Sequence, residues 1–147
     1  MEISTMTLDD FNIIEPILNT EFDDFWSPQN LKSELLNLNS KYIVAKQNGE
    51  IIGFAGIWFS VDDVHITNIV VKKSFRHQGI GKALLEQLIS MAKVKDSLTL
   101  EVSTKNNNAI KLYEKYNFKT LGIRKKYYDG VEDAYIMTLY LNKIQNA

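Results

Sequence analysis

The chain has 147 residues, 45% apolar and 24% charged, enough to bury a core and too apolar for a disordered polymer, so residues 1–147 read as a single domain. Its 17 basic and 18 acidic residues leave a net charge of −1, which speaks against a nucleic-acid partner and against an anionic membrane surface. The absence of cysteine excludes disulfides, thiolate metal sites and a cysteine nucleophile.

Glu2–Thr7 alternates polar and apolar residues as a strand does, and with no basic flank it does not read as a secretory signal. Leu8–Phe25 sets Leu8, Phe11, Ile14, Ile17, Leu18 and Phe22 near a 3.6-residue period, predicting a helix that Pro16 kinks or divides. Ser27-Pro28 is a helix start signal, and Gln29–Leu38 then carries Leu31, Leu35 and Leu38 on one face. Tyr42–Lys46 and Ile51–Ser60 are strands joined through Asn48-Gly49, a pair suited to the positive φ of a tight hairpin. Val64–Lys72 is a nearly continuous β-branched run, which predicts a central strand buried on both faces. A glycine-bearing turn and a helix to Val94 follow, then a strand over Ser97–Ser103 and a helix over Asn106–Tyr116 with Asn106 as its cap. Phe118–Tyr127 and Glu132–Leu141 close the chain as a hairpin around Asp129-Gly130. The order β-αα-βββ-α-β-α-ββ predicts an α/β fold of the mixed α+β kind, a single mixed sheet of about seven strands flanked by about four helices. No apolar run approaches the roughly 20 residues that span a bilayer, so the expectation is a soluble, cytoplasmic protein with no membrane partner.

The richest stretch is Phe75-Arg76-His77-Gln78-Gly79-Ile80-Gly81-Lys82-Ala83-Leu84-Leu85, set between the apolar run Ile66–Val71 and the amphipathic run Ala83–Met91. A strand, a glycine turn and a helix N-terminus make an anion site, because the first helical N–H groups lack internal partners and the helix dipole is positive there. Arg76, His77 and Lys82 add charge or donors; their alternative is a solvated basic turn. The stretch is not a Walker loop, whose glycines stand further apart and whose Lys is followed by Ser or Thr, where Ala83 stands here. Nor is it a dinucleotide fingerprint, since Gly79-Ile80-Gly81-Lys82-Ala83-Leu84 lacks the third glycine. On local spacing alone, a phosphate cradle and an ordinary strand–helix connection both stand. His65 and His77, twelve apart with no third ligand in view, give no reason to expect a metal.

Arg76-His77-Gln78-Gly79-Ile80-Gly81 resembles the [Q/R]-x-x-G-x-[G/A] signature of the GNAT N-acetyltransferase superfamily, and the likeness extends over the whole chain. Within that superfamily the C-terminal half is similar to the bacterial ribosomal-protein-alanine N-acetyltransferases. The matching residues are Leu100-Glu101-Val102, Asn106, Ala109-Ile110, Leu112-Tyr113-Glu114, Asn117-Phe118, Arg124-Lys125-Lys126-Tyr127-Tyr128, Glu132-Asp133-Ala134 and Met137. The resemblance implies the GNAT fold, with a splayed sheet, and acetyl-coenzyme A as co-substrate. It implies that the amides of Gln78, Gly79, Ile80, Gly81 and Lys82, with Arg76 and His77, hold the diphosphate. It implies that backbone groups of Ile69, Val70 and Val71 serve the pantetheine arm and the acetyl carbonyl.

On the strand Leu98–Val102, Glu101 shares a face with Thr99 and Ser103, and a mid-strand carboxylate is unusual. It is the candidate general base, directly or through water; a surface glutamate or an ion pair is the alternative. Tyr113 lies seven residues after Asn106, on nearly the same helix face. It is the candidate acid for the departing thiolate, and Asn106 a cofactor contact; the alternative for Tyr113 is a core aromatic. Tyr127, Tyr128, Glu132 and Asp133 are the candidate wall for a short basic peptide, or an ordinary hairpin tip. Phe22, Phe25 and Trp26 form the opposite wall or pack the core. With no cysteine to carry an acetyl group, transfer is expected by direct attack in a ternary complex. The implied partner is an acceptor protein N-terminus, with a ribosomal N-terminal alanine first, or else a small amine such as a polyamine, amino acid or aminoglycoside. A silent acyl-coenzyme A sensor is the non-enzymatic alternative. The chain is expected to be a monomer or a weak homodimer.

Overall fold

The computed structural model describes residues 1–23, 27–128 and 132–141, the side chains of Tyr127 and Tyr128 excepted. Its strands are β1 (Glu2–Thr5), β2 (Ser40–Gln47), β3 (Glu50–Phe59), β4 (Asp63–Val71), β5 (Ser97–Ser103), β6 (Lys119–Tyr128) and β7 (Glu132–Tyr140). Its α-helices are α1 (Leu8–Ile14), α2 (Pro28–Leu36), α3 (Ile80–Ala92) and α4 (Asn107–Lys115). The sheet has seven strands in the order β1-β2-β3-β4-β5-β7-β6. It is mixed: β4 and β5 run parallel from Asp63↔Ser97 to His65↔Thr99, whereas β1–β2, β2–β3, β5–β7 and β6–β7 are antiparallel. The chain divides into two compact units, Met1–Phe59 with Thr67–Ser90, and Ser60–Ile66 with Met91–Ala147.

In the first unit, α1 opens on a capping box: Thr7 Oγ1 accepts from the Asp10 N–H at 3.1 Å, and Asp10 Oδ2 accepts from the Thr7 N–H at 2.9 Å. Pro16 has no N–H and its ring crowds the preceding turn, so the helical pattern breaks there as expected. α1 ends at Ile14, a 3₁₀ turn covers Glu15–Ile17, and a π-helical turn covers Leu18–Phe22. Phe11, Ile14, Leu18 and Phe22 stay on one buried side through all three pieces. Ser27 caps α2 by accepting from the Asn30 N–H, and Leu31 is fully buried. Leu38 does not continue that face and is fully exposed. The helix stops at Leu36 because Asn37 Oδ1 captures the Asn39 N–H at 2.8 Å, an Asx turn that competes with helix.

The β2–β3 turn has the expected left-handed pair, Asn48 at φ 53° and Gly49 at φ 81°. One core joins Met6, Phe11, Ile14, Leu18, Phe22 and Leu31 to Tyr42, Val44, Ile51, Phe54 and Val70. Tyr42 stands opposite Gly56, and its ring fills the space a side chain there would need. It thereby carries its hydroxyl across β3 to β4, 3.0 Å from Thr67 Oγ1 and 2.6 Å from Asn68 Nδ2. β4 corrects one expectation. Val64 and Val70 are buried, but Ile66, Asn68, Ile69 and Val71 are half-buried and Thr67 is exposed. β-Branched residues favour strands because χ1 is stiff, whatever covers them, so the run reports conformation and not burial.

In the second unit, β5 alternates as predicted: Leu98, Leu100 and Val102 are buried and Thr99, Glu101 and Ser103 are half-buried. Thr99 and Thr138, opposite one another on β5 and β7, join hydroxyls at 3.0 Å. α4 is capped by Asn106, whose Oδ1 accepts from the Ala109 N–H at 3.3 Å. It ends in a Schellman turn: Asn117, at φ 71°, donates to Glu114 O, and Phe118 donates to Tyr113 O.

Candidate active site

In the first unit, the Lys72 N–H closes the end of β4 on Ile52 O at 2.8 Å, and a 3₁₀ turn follows over Lys73–Phe75. The chain then turns into α3 through two left-handed residues, His77 at φ 64° and Gly79 at φ 84°. A side chain at Gly79 would meet no atoms, so backbone conformation alone asks for glycine there. Gly81 is different. It lies inside the first turn of α3, and a Cβ there would make one ordinary contact, with Val71 Cγ2 at 3.7 Å. Neither the fold nor the packing demands glycine at 81, whereas a ligand drawn against the backbone would.

The first N–H groups of α3, at Ile80, Gly81 and Lys82, are those a helix cannot satisfy internally. Ile80 anchors them, its side chain being buried. His77, Gln78 and Lys82 are exposed, and Ile69 and Val71 present half-covered apolar surface on the strand that leads into the turn. These features fit a phosphorylated ligand with an apolar arm. Arg76 is engaged otherwise: Nε donates to Val71 O at 3.1 Å, and Nη2 donates to Phe22 O at 2.7 Å and to Asp23 Oδ1 at 3.2 Å.

In the second unit, Glu101 occupies the centre of β5, and its Oε2 lies 3.4 Å from Nε of Arg124 on β6. Glu101 stands opposite Ile136 on β7, and Arg124 stands opposite Ala134, so the guanidinium reaches its partner diagonally across the intervening strand. The sequence reading missed this pairing, because it depends on hairpin register, which no local pattern near Arg124 reports. Tyr113 sits in the last turn of α4, its ring centroid 5.6 Å from that of Phe118. That contact belongs to the Schellman turn, so the helix ending itself orients the phenol. Asn106 opens the same helix.

The acidic pair on the terminal hairpin already has partners. Glu132 Oε1 accepts from Ser103 Oγ at 2.6 Å. Asp133 Oδ1 accepts from the Lys126 N–H at 2.8 Å, and its Oδ2 is 3.3 Å from Lys125 Nζ. Lys126 is left-handed, at φ 52°, where the β6–β7 register shifts. Asp133 therefore pins the irregular strand, and the Lys126 N–H, followed by Lys125, holds its carboxyl below the ordinary 3.8. Phe22 is core: it is fully buried, with its ring 5.7 Å from that of Phe54. Phe25 and Trp26, and the side chains of Tyr127 and Tyr128, lie outside the described residues. Among the described residues no three His, Asp or Glu converge on a point where a metal ion would sit, and no helix is long and apolar enough to cross a membrane.

Residues 11–118 match the acetyltransferase (GNAT) family. A Bacillus subtilis (strain 168) protein, named as a candidate ribosomal protein bS18-alanine N-acetyltransferase, is 37% identical over 145 residues, 96% of each chain. The ribosomal protein bS18-alanine N-acetyltransferase of Escherichia coli (strain K12) is 38% identical over 121 residues, 78% of this chain and 80% of that one. Among solved structures, the Escherichia coli ribosomal-protein-S18-alanine N-acetyltransferase superposes with a TM-score of 0.86 at 33% identity, over 96% of this chain and 94% of that one. A GNAT acetyltransferase of Elizabethkingia anophelis, solved with acetyl-CoA bound, superposes with a TM-score of 0.77 at 27% identity, over 95% and 97% of the two chains. A seven-stranded mixed sheet with four α-helices, the glycine turn between β4 and α3, and these likenesses agree: the chain belongs to the GNAT family of N-acetyltransferases.

Proposed function

We propose that this enzyme transfers the acetyl group of acetyl-CoA to a protein N-terminal α-amine, with the N-terminal alanine of a ribosomal protein as the acceptor. The observation that carries the acceptor is the likeness, at 37–38% identity, to proteins named for that reaction. The observation that carries the donor is Gly81, whose bare backbone at the head of α3 has no internal cause.

The thioester supplies an activated acyl group. The amides of Gln78, Gly79, Ile80, Gly81 and Lys82 would hold the donor's diphosphate, with His77 and Lys82 adding charge or donors. Backbone groups of Ile69, Val70 and Val71 would align its arm and polarise the acyl carbonyl. Asn106 would hold the donor from α4. Glu101 takes the proton that the acceptor amine must lose, directly or through one water. Tyr113 returns a proton to sulfur as the carbon–sulfur bond breaks and the carbon–nitrogen bond forms. A phenol hydroxyl can give its proton to a basic thiolate. Fixing two substrates in one geometry can supply about 7–11 kcal/mol of the barrier, so binding residues matter as much as proton carriers. Tyr127, Tyr128, Glu132 and Asp133 are the acceptor-side residues of this reading.

Steady-state transfer from acetyl-CoA to an Ala-Arg-led peptide tests the proposal against spermidine, free amino acids and an aminoglycoside. The peptide should give a kcat/KM at least tenfold above every small amine. A small amine turned over faster than the peptide overturns the acceptor, and no turnover with any amine overturns the reaction.

A further inference from the structure

We infer that Arg76 is a positioning residue that locks the π-helical turn to the end of β4, and not a ligand of the donor's phosphates. The inference rests on the acyl-transfer reading above for what the lock serves, but its geometry stands apart from that reading. A guanidinium is a planar fork with fixed donor directions. Here two of its nitrogens serve three acceptors: Val71 O at 3.1 Å, Phe22 O at 2.7 Å and Asp23 Oδ1 at 3.2 Å. Phe22 O is among the last carbonyls of the π turn, the groups that a helical segment leaves without internal partners.

Lys72 reinforces the same attachment. Its Nζ lies 3.1 Å from Glu21 Oε1 and 2.7 Å from Glu50 Oε2, and its side chain is mostly covered. Two cations from the segment after β4 thus hold three successive residues, Glu21, Phe22 and Asp23. Swinging the Arg76 fork toward a phosphate would break all three of its contacts. A π turn is rare; this one is held by the burial of Leu18 and Phe22 in the core and, from the segment after β4, by Arg76 and Lys72.

The lock has two consequences. It sets where the left-handed turn begins, because Arg76 is the extended residue just before His77. It also fixes Asp23, the residue that follows the π turn, relative to the carbonyl of Val71. The turn is also held by its own backbone bonds, Phe75 N–H to Lys72 O at 2.8 Å and Ala83 N–H to Gly79 O at 3.1 Å. A change at Arg76 should therefore act on the Glu21–Asp23 segment, which the acyl-transfer reading lets acceptor kinetics report, more than on donor affinity.

The test uses the full chain and the Arg76→Ala, Arg76→Lys and Asp23→Asn variants. Calorimetry gives the Kd for coenzyme A, and steady-state kinetics give KM and kcat for whichever amine of the panel above the wild type turns over. Arg76→Ala should leave the Kd within about threefold while raising the acceptor KM at least tenfold. Arg76→Lys should recover part of that KM. Asp23→Asn, which changes one acceptor of the lock, should raise it in the same direction by a smaller factor. A tenfold or greater loss of coenzyme A affinity in Arg76→Ala overturns the inference in favour of a phosphate ligand. An acceptor KM unmoved in both Arg76→Ala and Asp23→Asn overturns it as well. If Arg76→Ala does not fold, Arg76→Lys and Asp23→Asn carry the same decision. A wild type that prefers a small amine would defeat the proposed acceptor and leave these comparisons intact.

Discussion

Glu101 and Tyr113 are positioned by different devices. Glu101 is fixed by strand alternation and by the guanidinium of Arg124 at 3.4 Å. Tyr113 is fixed by the turn that ends α4, with Phe118 against its ring. Glu101→Gln and Tyr113→Phe keep shape; the first removes the charge facing the partly exposed Arg124 together with proton exchange, and the second removes the hydroxyl, so each should lower kcat about 10²–10⁴-fold with a small change in the melting curve. Single-turnover rates equal to wild type would remove either residue from the chemistry. The two turn glycines make a sharper contrast. Gly79 holds a φ of 84°, which an L-residue adopts at a cost of about 1–2 kcal/mol, so Gly79→Ala should lower the melting temperature by a few degrees. Gly81 is helical, and a Cβ there meets Val71 Cγ2 at an ordinary 3.7 Å, so Gly81→Ala should stabilise by up to about 1 kcal/mol. Gly81→Val should fold yet bind coenzyme A at least tenfold more weakly. Calorimetry showing full affinity in Gly81→Val would mean that no ligand lies against that backbone.

The first unit's sheet and helices are tied together by a tyrosine that bridges strands. Tyr42 reaches β4 because Gly56 on β3 leaves its ring a bed, and its hydroxyl also bonds to Glu34 on α2. Gly56→Ala would place a methyl group in the ring's space, and overpacking of that kind costs about 1–3 kcal/mol or more. Combining it with Tyr42→Leu should cost less than the sum of the single changes, a non-additivity that denaturant titration reads directly. Additive losses would show that ring and glycine do not share the space. None of this bridge was visible in the sequence, where Tyr42 and Gly56 are unremarkable members of two strands and only register sets them opposite. What could be read were features written within a few residues: the Ser27-Pro28 start, the Asn48-Gly49 turn, the alternation around Glu101, the Asn106 cap and the glycine turn. The π turn escaped because Phe11, Ile14, Leu18 and Phe22 keep a helical spacing across the break at Pro16. Two of the three partners of Arg76, Phe22 and Asp23, escaped because they lie more than fifty residues upstream, and those of Asp133 because a carboxylate pinning a bulge has the same local sequence as one on a tip.

Stability against pH sums groups from both units, and their signs can be set before any measurement. Burial pushes Asp10 up, but bonds from the Thr7 N–H, Lys46 and the Thr7 hydroxyl outweigh it and hold the carboxyl below its ordinary 3.8. A depressed carboxyl stabilises the fold above its unfolded value and loses that contribution as pH falls through the folded one. Asp133 acts in the same direction. Glu34 acts oppositely: burial lifts it above its ordinary 4.5, against the Tyr42 hydroxyl bond, so its contribution is present in acid and is lost as pH rises through the folded value. Lys72 is raised above 10.5 by Glu50 first and Glu21 second, and stabilises until alkaline pH removes its proton. The melting temperature should therefore hold a plateau across neutral pH, fall in acid below about 4 as the aspartates are protonated, and fall in alkali above 10.5. Asp10→Asn separates the acid limb. It removes the charge that pairs with Lys46 at 3.0 Å but leaves an amide oxygen that can accept from the Thr7 N–H, so it should melt below wild type at pH 7 through the lost charge alone. Once Asp10 is protonated in the wild type the two proteins differ little, so the gap between their melting curves should close as pH drops below 3.8. Glu34→Gln should do the reverse, matching wild type in acid and gaining on it as pH rises past 4.5. A gap for Asp10→Asn that stays constant from pH 7 to pH 3 would mean that the lost interaction is not ionic, and that Lys46 contributes nothing through its charge.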